Sequence, residues 1–213
     1  PKTIADFFDT AKFPGKRGLR KSPKANLELA LAADGVAAAD IYTVLGTPEG
    51  VDRAFAKLDT LKGDVVWWEA GAQPPQLLAD GEVAMTTAYN GRIFNAVASE
   101  NKPFEIVWDA QVFDFDMWAI VKGAPNADLA MDFLKFSTET AQLAAQASYI
   151  SYGPARKSSA PLVSTYHSNP DLDMGPQMPT APANFATAIP NDFEFWADNA
   201  DELNERFNAW LIN

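Results

Sequence analysis

The chain has no cysteine and a single histidine, His167, among its 213 residues. Without thiols there is no disulfide framework and no thiolate metal site, and one imidazole leaves zinc without a ligand set. His167 lies in the polar stretch STYHSNPD and reads as a solvated residue rather than a catalytic base. Phosphate cradles are missing as well: neither G-x-G-x-x-G nor G-x-x-x-x-G-K-[ST] occurs, and G-x-S-x-G does not occur either. NPDLDMG, residues 169–175, alternates oxygen-bearing side chains but lacks the glycine spacing and closing glutamate of a calcium loop. No spacing singles out a carboxylate pair for glycoside chemistry. No nucleophile–base set emerges, so an enzyme is the least favoured class, and no cofactor and no metal are expected.

Positive charge is scarce. Seventeen Lys and Arg against 28 Asp and Glu give a formal charge of −11. Binding to nucleic acid rests on neutralising phosphates with Lys and Arg, so no nucleic-acid partner is expected. The basic residues are unevenly spread: Lys2, Lys12, Lys16, Arg17, Arg20, Lys21 and Lys24 stand against only Asp6 and Asp9 at the start. That patch is either a solvated surface, the simpler reading, or a docking face. No apolar run approaches the roughly 18 residues of a membrane span. No basic-plus-apolar leader opens the chain, and its first residue is proline, which implies trimming or a start inside a longer protein. With 47% hydrophobic and 21% charged residues the chain reads as globular, long enough for one large domain or two lobes. Absence of cysteine fits a periplasmic location without requiring it.

What is present alternates between strand and helix patterns. Arg17–Arg20 reads as a strand edge. SPKANLELALAADG reads as a helix with Ser22 as N-cap and Gly35 as the stop, and TPEGVDRAFAKLDTLKG as another, capped by Thr47, with Val51, Phe55 and Leu58 on one face. Further strands are expected at residues 65–68, 82–88, 104–108 and 115–121. Helices are expected at 72–81, 92–99, 126–136, 139–147 and 200–211, with Ala130, Phe133 and Leu134 turned to a core. Residues 152–191, rich in Pro, Ser and Asn, read as mostly loop. The alternation points to an α/β fold.

In α/β proteins ligands bind beyond the carboxyl ends of strands. Trp67, Trp68 and Glu69 end one strand and lead to Gln73; Tyr89, Asn90 and Arg92 end another. In FDFDMW an extended backbone would put Asp114, Asp116 and Trp118 on one face. Carboxylates among aromatics are costly to bury without a cation, so these acids either meet a ligand or lie on a solvated edge.

TIADFFDTAKFPGKRGLR, QPPQLLADGEVAMTTAYNGR, FDMWAIVKGAPN with AMDFLKF, and SYGPARK run in the order and spacing of the periplasmic spermidine/putrescine-binding proteins, which the chain resembles over nearly its whole length. These are solute receptors of ABC importers. The resemblance implies a type II periplasmic-binding fold of two α/β lobes that clamp a solute, with hinges at crossing strands near 108–113 and 148–153. Residues 1–108 and 152–213 would form the second lobe, and residues 109–151 would return to the first, whose N-terminal part is missing. Phe115, Trp118, Ile120 and Phe133 would then be left wet, so the missing lobe segment, whether a second chain or a clipped piece, is an expected partner, as is an ABC permease in the inner membrane. A few exposed large side chains forfeit several kcal/mol at about 25 cal/mol per Å².

The resemblance also assigns a site. Asp116 stands where polyamine binders hold an amine, and Asp114 where they carry an aromatic; Tyr89 and Tyr152 match a cleft tryptophan and a cleft tyrosine. The acids those proteins place at the first helix of the second lobe are replaced by Lys21, Ser22, Lys24 and Ala25. Arg92 follows the Tyr-Asn-Gly turn and is the expected carboxylate clamp, its fork taking both oxygens. Otherwise it is a surface helix arginine, or is paired to Asp116 or Glu69. With Tyr89, Tyr152 and either Trp118 or Trp68 as walls, the expected solute is an ω-amino acid such as 4-aminobutyrate; a branch of the family resembles receptors for that ligand. A polyamine is the alternative, as is a ligand-sensing domain of the same fold.

Overall fold

Helix signals that rest on capping and apolar spacing give the best-defined elements. The computed structural model describes residues 1–212; Asn213, the last residue of the expected third segment, lies outside the described residues. The chain divides into two compact units, residues 1–113 with 186–213, and residues 114–185. Residues 152–185, expected with the second lobe, thus group with residues 114–151.

The first unit contains α1 (Ile4–Phe8), β1 (Arg17–Arg20), α2 (Asn26–Ala33), α3 (Ile41–Leu45), α4 (Pro48–Asp59), β2 (Val65–Trp68), α5 (Gln73–Ala79), β3 (Met85–Thr86), α6 (Asn90–Ala98) and β4 (Val112–Phe113). The second unit contains α7 (Ala127–Ser137), α8 (Thr140–Gln146), β5 (Thr165–Tyr166) and β6 (Asn169–Asp173). The chain then completes the first unit with β7 (Ile189–Pro190) and α9 (Phe193–Ile212).

Helix α4 follows its sequence signals. Thr47 Oγ1 accepts from the Gly50 N–H at 3.1 Å, Pro48 opens the first turn, and Val51, Ala54, Phe55 and Leu58 are buried along one face. Helix α2 starts later than expected. Its N-cap is Ala25, in the left-handed region at φ 71°, rather than Ser22. Asn26 Nδ2 donates to the carbonyls of Arg20 and Ser22 at 2.6 and 2.8 Å, which holds the preceding turn open and delays the helix.

Strand β1 is central, not an edge: the parallel sheet has the order β2-β1-β3. Its first residue, Arg17, is fully buried and works as a hub. Arg17 Nε donates to Phe7 O at 2.6 Å, Nη1 to Gly15 O at 2.5 Å, and Nη2 to Phe13 O at 2.7 Å and more weakly to Asp9 O at 3.4 Å. Burial pulls its pKa down while Asp64 and Asp9 oppose the shift; an arginine keeps its charge regardless.

The expected strands at 104–108 and 115–121 carry no regular secondary structure. A strand exists only where a neighbour supplies ladder partners, and the described residues offer none to these segments. Residues 152–191 hold more structure than a loop, since β5 and β6 pair antiparallel. The C-terminal helix begins at Phe193, seven residues before the expected start, because Asp192 Oδ1 caps the Phe195 N–H at 2.9 Å. No residue of α7 is buried. Phe115, Trp118 and Phe133 are 63%, 64% and 55% exposed, so the apolar stripe of α7 has no core under it.

One buried polar group has no sequence signal. Glu28, on the buried face of α2, accepts at Oε1 from Tyr42 Oη at 2.9 Å and from Trp196 Nε1 at 2.8 Å, while Oε2 has no partner among the described residues. Burial raises its pKa above the ordinary 4.5, and the adjacent tyrosine is raised too, by burial and by Glu28. Between the ordinary and the raised value the native state keeps a proton that the unfolded state has lost. Stability therefore falls as pH rises through that window, by about 1.4 kcal/mol per pH unit. Glu28→Gln retains an acceptor for both donors and cannot ionise. As pH rises from 5 to 7 the full-length variant should gain stability relative to the wild type in denaturant melts. Parallel pH profiles would show that Glu28 is not held neutral.

Candidate functional site

Because β1, β2 and β3 are parallel, their carboxyl ends share one edge of the sheet. Arg20 and Trp68 end the first two strands, and Tyr89 follows the third as the N-cap residue of α6. Alternation along β2 separates its tryptophans. Trp67 packs edge-on against Phe207 and Trp210 of α9, with centroids at 5.5 and 5.9 Å. Trp68 turns the other way, is 2% exposed, and meets Tyr89 edge-on at 5.9 Å. Its Nε1 is buried without a hydrogen-bond partner among the described residues. Tyr89 is 45% exposed. A Cβ at Gly71 would stand 2.7 Å from Tyr89 Cδ2, so the ring occupies space that only glycine leaves open.

Arg20, which the sequence reading did not single out, belongs to this group. Its guanidinium lies 5.9 Å from the Tyr89 centroid, its side chain is exposed, and no acid pairs with it among the described residues. The signal was available: like Arg92, it is an arginine where an apolar strand opens into a turn. Glu69, the nearby strand-end acid, pairs instead with Lys21 at 3.3 Å. Gln73 Oε1 accepts from the N–H groups of Glu69 and Ala70 at 2.8 and 2.7 Å and so fixes the turn after β2.

Arg92 is exposed in the first turn of α6 and lines a groove of about 220 Å³ between α5 and α6, with Pro75, Gln76, Asn95, Glu100 and Lys102. It has no acid partner among the described residues, neither Glu69 nor Asp116.

In the second unit, Asp114, Asp116 and Trp118 lie on an irregular segment rather than on one face of a strand. Asp114 Oδ1 accepts from the Phe115 N–H at 2.9 Å. Asp116 is exposed and has no partner among the described residues. Trp118 stands edge-on to Phe133 at 5.9 Å. Tyr152 is partly exposed, and its N–H donates to Ile150 O at 2.8 Å. His167 stacks on Tyr149 at 4.3 Å with Nε2 2.8 Å from Ser168 Oγ. Among the described residues no cluster of three or more His, Asp or Glu could hold a metal, and no helix is long and apolar enough to cross a membrane.

A guanidinium beside an aromatic pair at a strand-end edge suits a small anionic group. Proteins similar to this chain are solute-binding proteins. The chain is 50% identical over 210 residues to a gamma-aminobutyric acid-binding protein of Pseudomonas aeruginosa, covering 99% of this chain and 57% of that protein. It is similar to the structure of the Atu4243-GABA receptor, with a TM-score of 0.79 and 36% identity over 99% of this chain and 62% of that one. It is also similar to the periplasmic binding protein MotA of Agrobacterium tumefaciens B6 in complex with glucopine, with a TM-score of 0.81 and 34% identity over 99% and 64% of the two chains. The chain thus spans about three fifths of the length of these relatives. Its mixed helix and strand architecture is that of part of a periplasmic-binding fold. Residues 1–180 match the bacterial extracellular solute-binding proteins, and the chain belongs to that family.

Proposed function

We propose that the protein is the periplasmic solute receptor of an ABC importer and takes a linear ω-amino acid such as 4-aminobutyrate, without turnover. The observation that carries this reading is an exposed guanidinium, unneutralised by any acid, against the Trp68–Tyr89 pair at the carboxyl edge of the parallel sheet. A diamine would meet a like charge there, whereas a carboxylate gains charge-assisted hydrogen bonds. The gamma-aminobutyric acid named for two of the relatives supports the same ligand class. The exposed carboxylate of Asp116 is the proposed anchor for the ammonium, with the exposed rings of Trp118 and Tyr152 as proposed walls able to give cation–π contact. Asp114, whose Oδ1 accepts from the Phe115 N–H, is the proposed second acid on that segment. For the carboxylate, the candidate guanidinium groups are Arg92 and Arg20.

The wet stripe of Phe115, Trp118 and Phe133 is proposed to be covered by further residues of the receptor, such as the relatives' greater length provides. Measurements therefore belong on the full-length protein. Thermal shift and calorimetry with 4-aminobutyrate, putrescine and spermidine should show 4-aminobutyrate binding with a Kd near micromolar, about −8 kcal/mol, from two charged anchors plus stacking. Putrescine should bind more than about tenfold more weakly. A preference for either polyamine would reverse the assignment of ligand class.

A further inference from the structure

We propose that Asp109 and Thr187 form a clasp that holds together the two chain crossings between the units and sets how readily the receptor closes; its effect on affinity rests on the receptor reading above, its effect on motion does not. The chain leaves the first unit after Phe113 and re-enters it at Ala186, so two covalent links join residues 114–185 to the rest. Both links spring from one place. Strands β4 and β7 pair in parallel, and the Ile189 and Asn191 N–H groups donate to Gln111 O and Phe113 O, each at 2.8 Å. This ladder is two residues long on each strand, shorter than most strands that hold a register alone. Asp109 reinforces it. Its Oδ1 accepts from Thr187 Oγ1 at 3.0 Å, and the same hydroxyl accepts from the Ala110 N–H at 3.0 Å. Its Oδ2 accepts from the Ile4 N–H, the first donor of α1, at 2.8 Å. One carboxylate thereby ties the outgoing crossing, the returning crossing and the N-terminal helix, through hydrogen bonds strengthened by its charge.

Two observations speak for a mechanical role. Asp109 is half-buried and Thr187 exposed, so neither fills the core. Ala110, between them in the network, is buried at φ 56°, a left-handed conformation that is unfavourable for a residue with a Cβ and persists where its surroundings impose it. Crossings held in register leave the ligand-free protein fewer arrangements, and a larger share of them is ready to close. Apparent affinity scales with that share. No clasp residue belongs to the strand-end group of Arg20, Trp68 and Tyr89, so every solute should feel the loss of the clasp equally.

The test compares full-length Asp109→Ala and Thr187→Val with the wild type. Thr187→Val is the milder change, since it removes one hydroxyl at an exposed position. Residues 1–213 contain no cysteine, so Glu49→Cys and Asp128→Cys, at exposed positions of α4 and α7, add a defined pair of nitroxide label sites. Ligand-free distance distributions should be broader in both variants than in the labelled wild type. Calorimetry below each melting transition should show 4-aminobutyrate and its longer homologue 5-aminovalerate weakened by the same factor, about tenfold in Asp109→Ala and less in Thr187→Val. A lowered melting temperature with unchanged distances and affinities would mean that the clasp only stabilises the fold, and would overturn the inference. So would a gain in affinity, or a loss for one solute and not the other, which would place Asp109 at the ligand. A wild type that binds neither solute would strike the receptor reading instead, and the label distances would still decide for or against the clasp.

Discussion

Replacing Arg17 with methionine is expected to lower the stability of the full-length protein by about 3–5 kcal/mol. Methionine is apolar and of similar length, so packing is largely kept and the loss is electrostatic. The wild-type guanidinium is fully buried and gathers the carbonyls of Phe7, Gly15 and Phe13, with a longer contact to Asp9. Removing the donors strands these acceptors, and an unsatisfied buried polar group costs about 1–3 kcal/mol. The segment that loses its tether leads directly into β1, so the strand carrying Arg20 should loosen with it. Denaturant melts of the ligand-free protein give the measurement. A loss below about 1 kcal/mol would mean that water satisfies the carbonyls as well as Arg17 does.

The second large effect falls on binding. Asp116→Asn should weaken 4-aminobutyrate by about 100-fold, or roughly 3 kcal/mol, since the ammonium would keep a hydrogen-bonding neighbour and lose its counter-charge. Folding should hardly notice. The side chain is exposed and has no partner among the described residues, so ligand-free stability should shift by less than about 0.5 kcal/mol. The contrast between the two readouts matters: Arg17 is expected to be silent toward charge in the ligand and severe for the fold, and Asp116 the reverse. Wild-type affinity in Asp116→Asn would remove that residue from the ammonium site.

Helices were legible where local chemistry decides them. Thr47, Pro48 and the spacing of Val51, Phe55 and Leu58 specify α4 without help from distant residues. Strands were less so, because a strand is defined by its neighbours. VVWW pairs with β1 and is a strand; FEIVW and FDMWAIV have equal β character and no partner, and neither forms a ladder. Of the aromatic pair at the sheet edge, the sequence pointed to both Trp68 and Tyr89 through strand ends and family resemblance. It passed over Arg20, since nothing local says which of several arginines will find an aromatic ring.

By itself the sequence determined the chemistry on offer: no thiol, one imidazole, no phosphate loop, few cations, and aromatic residues and acids at strand ends. These are properties of composition and short-range order. Tertiary structure alone decided which of those groups are spent and which are free. Arg17 and Arg20 stand three positions apart on one strand, yet one is buried among carbonyls and the other lies exposed over Tyr89. The difference arises from the neighbours that the parallel sheet and its connecting loops bring to each, over separations along the chain that no local pattern records.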